Sequence, residues 1–276
     1  MDLNTISDVA RPKARTDMPA WRAGDAFLGG GTFLFSEPQP QLTRLIDLAG
    51  LGWQPLRPSN EGLEIAATCT IAQLDAFAAP VEWIASPLID QCCRAFLASF
   101  KIWNMATVGG NLCMALPAGP MIALTAALDG VCTIWAADGS ERRVPVTDFV
   151  TGPQRNVLAP GELLRSIDLP AAALARRTAF RQISLSPLGR SAALLIGTRA
   201  PRGGGFALTI TASTPRPIRL IFDTMPSSDA LRARIEQTIP HDAYYDDVHG
   251  LPAWRRHMTL LFAEEIRAEL AAEVSA

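Results

Sequence analysis

The chain has 276 residues, a net charge of −2 and 49% hydrophobic residues. That length holds one large or two modest domains with buried cores, the charge offers no basic patch for nucleic acid, and no apolar run approaches the roughly 20 residues that cross a bilayer. Residues 1–20 carry Arg11, Lys13 and Arg15 but no apolar signal-peptide core, so the cytoplasm is the expected location.

Residues 1–22 read as a loosely ordered lead-in. A short strand over 26–28 runs into Gly29-Gly30-Gly31-Thr32, and a charge-bearing segment over 42–48 follows. Residues 51–58 read as a connection and 63–67 as a strand. Thr70-Ile71-Ala72-Gln73 is a capping box that opens a helix to Phe77. Ser86-Pro87 places serine at N-cap and proline at N1 of a helix over 87–101. Its apolar positions are Leu88, Cys92, Phe96 and Phe100, with Ile89 and Leu97 beside them. A paired-glycine turn, Thr107-Val108-Gly109-Gly110-Asn111, comes after it, and then a helix over 121–128. Strands over 131–135 and 142–146 flank Asp138-Gly139, a hairpin signal. A strand over 163–169 is closed by Pro170.

Beyond Pro170 the texture changes. A linker helix is expected over 171–177, then strands over 179–184, 191–197, 206–211 and 218–222, with Arg202-Gly203-Gly204-Gly205 as a hairpin tip. Helices over 229–238 and 254–270 close the chain, the latter with Met258, Leu261, Phe262 and Ile266 on one face. This mixture of strands and helices is an α+β pattern.

Most simple catalytic chemistries find no support. The five cysteines, Cys69, Cys92, Cys93, Cys113 and Cys132, form no Cys-x-x-Cys pair, which argues against zinc or an iron–sulfur cluster and for buried reduced thiols. The only histidines are His241, His249 and His257, so no histidine triad or metal site lies in the first 240 residues. His241 and His249, with Asp242, Asp246 and Asp247, read as a solvated acidic loop rather than a metal site. Gly189-Arg190-Ser191 lacks the second glycine of a nucleophile elbow. Asp47 and Glu64 show no spacing that marks an acid–base pair.

The two glycine segments carry the chemistry. Glycine lets a backbone approach a ligand without an intervening Cβ, and consecutive amides in such turns make anion-binding concavities. Two of them suggest that amides reach one anionic ligand, such as a dinucleotide pyrophosphate, from two sides. Neither has the three spaced glycines of a Rossmann loop, and each alone is ordinary turn punctuation.

Taken together, these segments resemble those of the FAD-binding medium subunit of the molybdenum hydroxylases, the xanthine dehydrogenase and carbon monoxide dehydrogenase family. That family carries an Ala-Gly-Gly-Thr/His loop and, about eighty residues later, a Thr-Ile/Val-Gly-Gly-Asn segment. Here Gly109 lies 80 positions after Gly29 (109 minus 29). Phe149-Val150-Thr151-Gly152 and Leu158-Ala159-Pro160-Gly161-Glu162 resemble a further block. The resemblance runs from about Ala23 to the C-terminus, and over the last third in pattern only.

It implies a two-part FAD-binding domain of the vanillyl-alcohol-oxidase/molybdopterin-dehydrogenase type over 1–172 and a small α+β domain over 173–276. It also implies FAD as cofactor, its pyrophosphate held by main-chain amides of both glycine segments. Gly29, Gly30, Gly31, Thr32, Thr107, Gly109 and Gly110 then stand at the cofactor, with Asn111 fixing the second segment. Thr32 and Thr107 are phosphate ligands or caps of local turns; Phe33 packs near the cofactor or simply in the core. The implied partners are a molybdopterin-binding large subunit and a [2Fe–2S] small subunit, and the implied function is electron transfer from those clusters to NAD+ or another acceptor. A flavin-free scaffold subunit and a stand-alone flavin oxidoreductase are the alternatives. Three departures stand out. Trp103 sits where the family has arginine, Gly119-Pro120 where it has an acidic residue, and Ser184 to Arg190 where many relatives are arginine-rich.

Overall fold

The computed structural model describes residues 3–201 and 204–272. Three short parallel strands, β1 (Asp8–Ala10), β2 (Asp25–Leu28) and β3 (Arg44–Asp47), form a sheet in the order β1-β3-β2. A buried ion pair ties it together. Arg44 Nε and Nη2 donate to Asp25 Oδ1 and Oδ2 at 2.8 and 2.6 Å, and Nη2 also donates to Ala20 O at 2.8 Å. The Arg44 hydrogen bonds hold the Asp25 carboxyl below the usual carboxylate range. A depressed folded-state value stabilises the protein above the ordinary carboxylate range, and the contribution disappears as pH falls through that depressed value. Urea unfolding followed from pH 7 to 2.5 (about the span over which carboxylates titrate) should therefore show a loss of stability on the acid side that is smaller in Asp25→Asn. Identical acid-side slopes would refute this.

A five-stranded antiparallel sheet comes next, in the order β4-β5-β10-β6-β7. Its first members are β4 (Leu56–Ser59), within the expected connection, and β5 (Gly62–Ala66). The helices α1 (Ile71–Asp75), α2 (Pro87–Ala95), α3 (Phe100–Trp103), α4 (Val108–Met114) and α5 (Pro120–Ala127) then intervene. The expected capping box opens α1: Gln73 N–H donates to Thr70 Oγ1, and Thr70 N–H to Gln73 Oε1. The chain returns through β6 (Val131–Trp135), β7 (Glu141–Pro145), α6 (Val146–Phe149), the small hairpin β8 (Val150–Gly152) and β9 (Arg155–Asn156), and β10 (Leu163–Pro170).

After α7 (Ala171–Leu174), shorter than expected, four antiparallel strands run in sequence order: β11 (Arg177–Ile183), β12 (Ala193–Arg199), β13 (Phe206–Thr211) and β14 (Ile218–Phe222). Of the expected hairpin tip between β12 and β13, Arg202 and Gly203 lie outside the described residues. The helices α8 (Ser228–Thr238) and α9 (Pro252–Ala272) pack on each other, and α9 packs on β11 and β12.

Two apolar clusters result. One gathers the helices on the inner face of the five-stranded sheet, the other lies between the four-stranded sheet and α8 and α9. All eight residues of α5 are buried. It packs against α2 and α4 on one side and β12 and β13 on the other, so it joins the two halves. Each large apolar side chain buried there contributes roughly 1.5–3 kcal/mol.

Several local expectations are corrected. The helix expected over 87–101 ends at Ala95. The Trp103 indole N–H donates to Phe96 O at 2.9 Å, satisfying a carbonyl at the interruption. With the helix broken, Phe100 leaves the apolar stripe and is 73% exposed. Ser86 has helical backbone angles and makes no side-chain cap. On α9, Met258, Phe262 and Ile266 are buried as expected, whereas Leu261 is 43% exposed.

Candidate functional site

The two glycine segments meet. A Cβ built on Gly29 would stand 3.2 Å from Thr107 Oγ1. One built on Gly30 would stand 2.5 Å from the Met105 carbonyl carbon and closer still to its oxygen, so only glycine lets these backbones touch. Gly31 has φ +72°, and its Cβ position falls 2.7 Å from Phe35 Cδ2. The turn is closed by Phe35 N–H on Gly31 O at 2.8 Å and Ser36 N–H on Phe33 O at 2.9 Å. The N–H groups of Gly30, Gly31, Thr32, Phe33 and Leu34 have no acceptor among the described residues. Thr32 and Phe33 are partly accessible.

The second segment differs from the turn expected of it. Gly109 and Gly110 sit in the first turn of α4, with Thr107 as N-cap. Gly110 N–H donates to Thr107 Oγ1 at 2.9 Å, so the threonine oxygen serves as a cap. Val108 N–H donates to Cys69 O, Gly109 N–H to Ala67 O and Asn111 N–H to Thr107 O, at 2.8, 3.0 and 3.0 Å. The amides from Val108 to Asn111 are therefore satisfied internally, and of this segment's five only that of Thr107 has no acceptor among the described residues, so the expectation that the second segment offers consecutive free amides is corrected. Gly109 is required by packing, since its Cβ would stand 2.6 Å from Ala67 O. Gly110 is exposed, and its Cβ would meet only Thr107 Oγ1, at 2.9 Å, before open space. Gly29 and Gly110 thus share one neighbour, the Thr107 hydroxyl.

Asn111 holds the start of α5, where its Oδ1 accepts from Met121 N–H at 3.1 Å. Gly119 lies against it, with a built Cβ 2.9 Å from Asn111 Oδ1 and 2.9 Å from Ile122 Cδ1. An acidic side chain at 119 does not fit this arrangement. Trp103 supplies no cation either; its indole N–H is spent on Phe96 O, and the Arg94 guanidinium lies 5.8 Å from its ring. The Pro-Gly-Glu block is a brace. Glu162 binds Arg142 Nε and Nη2 at 2.9 and 2.6 Å and accepts from Ala159 N–H at 2.8 Å, and Arg142 holds its carboxyl below the usual range.

Other groups are committed elsewhere. All five cysteines are free, and burial pushes the Cys69, Cys93 and Cys113 thiols up to about 12. Asp247 pairs with Arg255 and accepts from His249 N–H at 2.8 Å. Arg255, 1% exposed, is a residue that sequence reasoning misses. It also donates to the carbonyls of Gly250 and Ala192 at 2.9 and 2.8 Å and to that of Ala212. Its one signal is its spacing, three residues before Met258 on the buried stripe. His249→Ala should leave flavin content and thermal stability within experimental error of the parent. A lost flavin on assay of the released nucleotide would contradict that.

Two clefts are lined by residues other than the glycine segments. The larger, about 710 Å³, covers the outer face of the five-stranded sheet, where Arg57 and Arg165 pair with Glu64, and Arg143 with Asp168. Its mixed charges form a solvated, self-paired sheet face. The smaller, about 160 Å³, lies beside Trp21, Phe27 and Leu163.

Residues 10–172 match the family described as the FAD binding domain in molybdopterin dehydrogenase. The chain belongs to this family, and its cofactor is FAD. It is 31% identical over 121 residues to a xanthine dehydrogenase of Oryza sativa subsp. japonica, which covers 42% of this chain and 9% of that protein. It is 29% identical over 168 residues to the caffeine dehydrogenase subunit beta of Pseudomonas sp. (strain CBB1), covering 58% and 54% of the two chains. The chain thus spans about a tenth of the first curated relative and about half of the second. Among solved structures, quinoline 2-oxidoreductase from Pseudomonas putida 86 aligns with a TM-score of 0.78 at 19% identity over 99% of both chains. Carbon monoxide dehydrogenase from Hydrogenophaga pseudoflava aligns at 0.80 and 19% identity, over 96% of this chain and 97% of that one. At such identities these likenesses establish the fold. No described helix is long and apolar enough to cross a membrane.

Proposed function

We propose that this chain is the FAD-carrying electron-transfer subunit of a multi-subunit molybdenum hydroxylase, with 1–172 as the FAD-binding domain and 173–276 as a small C-terminal domain. The observation that carries this reading is the run of five amides from Gly30 to Leu34 that have no acceptor among the described residues, in a turn whose Gly29 and Gly30 lie against Thr107 and Met105. Unpaired consecutive amides in a glycine turn suit a diphosphate; a Cβ at Gly30 would force its loop off the Met105 backbone, and one at Gly110 would enter open space beside Thr107. Gly29, Gly30, Gly31, Thr32 and Phe33 would hold the pyrophosphate through main chain and the Thr32 hydroxyl. Thr107, Gly109, Gly110 and Asn111 would form the opposing wall, chiefly by shape.

Bound FAD would supply reversible one- and two-electron chemistry, and the part of this chain would be to hold it between the [2Fe–2S] clusters of a small partner and NAD+ or another acceptor. A molybdopterin-binding large partner would carry the hydroxylation, so this chain needs no substrate base of its own. The cytoplasm is its proposed location.

The test is a visible spectrum of the purified chain, with release and identification of the bound nucleotide and a search for co-purifying subunits. FAD without iron–sulfur absorption, in company with a cluster-bearing partner, supports the proposal. A chain that takes up no flavin on incubation with FAD would be a scaffold subunit, the reading favoured by the satisfied amides at Gly109 and Gly110.

A further inference from the structure

The segment that leaves α4 is held from outside at every second carbonyl. Asn156 Nδ2 donates to Cys113 O at 2.8 Å, Gln154 N–H to Ala115 O at 3.0 Å, and Ala212 N–H to Pro117 O at 2.8 Å. The donors come from β9, the turn before it, and the end of β13. Ala115, Gln154 and Ala212 have φ of 50°, 54° and 64°. Residues with a Cβ disfavour that backbone and keep it where their surroundings dictate it.

The strap bears on the cofactor through α4. With seven residues, α4 is too short to hold its own direction. One end is fixed by the Val108 and Gly109 amides on Cys69 O and Ala67 O, the other by this strap. Gly110 and Met114 are at least partly accessible and, at i and i+4, share one face of the helix. Asn156 is the one side chain among the three donors. Its Oδ1 accepts from Leu158 N–H at 2.9 Å, so both ends of the amide are engaged and its orientation is set.

We propose that Asn156 is a positioning residue for FAD: by holding the Cys113 carbonyl it sets the accessible face of α4 against the cofactor. This rests on the function proposed above. Asn156→Asp keeps the acceptor for Leu158 but turns a carboxylate oxygen onto the Cys113 carbonyl, and Asn156→Ala removes both bonds.

The experiment compares FAD dissociation constants and the visible circular dichroism of bound flavin in wild type and both variants, with thermal midpoints of the flavin-free chains. The expected result for Asn156→Asp is a flavin-free midpoint lowered no further than one lost hydrogen bond lowers it, together with about a tenfold weaker FAD affinity (roughly 1.4 kcal/mol) and an altered flavin dichroism in the chain that is still folded. A wild-type chain that binds no FAD would overturn the cofactor reading, and this inference with it. Wild-type binding with unchanged affinity and dichroism in Asn156→Asp would overturn the positioning role alone. So would affinity falling only in step with the flavin-free midpoint, which is what a purely structural asparagine would give. If Asn156→Asp does not fold, the same readouts on Asn156→Ala decide.

Discussion

Gly30→Ala should lose FAD, with flavin content below about a tenth of the parent's and a lowered thermal midpoint. The new methyl group would stand 2.5 Å from the Met105 carbonyl carbon, and nearer its oxygen. Both partners are backbone, so no rotamer change relieves the overlap; the loop after β2 must lift away from the entry to α4. Overpacking of this kind costs about 1–3 kcal/mol. The effect on FAD is larger than that cost implies, because the displaced loop carries the five amides from Gly30 to Leu34 that have no acceptor among the described residues. Gly52→Ala is the control. Gly52 has φ +58° and nothing within 4 Å of its Cβ position, so alanine there strains only the local turn. That variant should lose roughly 1–2 kcal/mol of stability and keep its flavin. Stoichiometric FAD in Gly30→Ala would mean that the contact between the two glycine segments is unrelated to the cofactor.

The glycine segments themselves were legible in the sequence because glycine marks close backbone approach wherever it occurs in the chain. Their division of labour was not. Whether an amide is free depends on where its acceptor lies, and Gly109 N–H finds Ala67 O across 42 positions (109 minus 67). Nothing near Gly109 in the sequence reports that carbonyl. The strands were read from alternation and turn residues, and the runs over 206–211 and 218–222 coincide with β13 and β14. The apolar stripe over 87–101 misled for a physical reason. Helical spacing continues through Phe96 and Phe100, but the chain stops the helix at Ala95, where Trp103 reaches back to Phe96 O. Periodicity records which residues suit a helix and is silent on a tertiary hydrogen bond that ends one. Arg255 is the converse case. It lies among Arg256 and His257 in a stretch that looks solvated, and only three carbonyls and Asp247, all brought in by the fold, make its burial tolerable.

Gly110→Leu should separate stability from cofactor binding most sharply. Gly110 lies within α4 and faces open space, apart from the Thr107 hydroxyl 2.9 Å from its Cβ position. Alanine is favoured over glycine inside a helix by about 0.8–1.0 kcal/mol and leucine by slightly less, and the Thr107 hydroxyl has to yield only slightly to admit the new Cβ, so that it keeps its bond to the amide of residue 110. The folded chain should therefore be as stable as the parent or slightly more so. In the proposed function the same open space belongs to the FAD pyrophosphate, and a butyl group there would exclude it and bury polar phosphate against hydrocarbon. Affinity should fall about a hundredfold or more, a loss of roughly 2.8 kcal/mol at 1.4 kcal/mol per factor of ten. A cooperative melt at or above the parent's midpoint, with no flavin absorption, is the expected pair of results. The outcome that sinks the second segment as a cofactor wall is a Gly110→Leu chain that melts like the parent and still carries one FAD. A chain that lost flavin only because it no longer folded would instead show that α4 tolerates nothing larger than glycine here, contrary to the open space around Gly110.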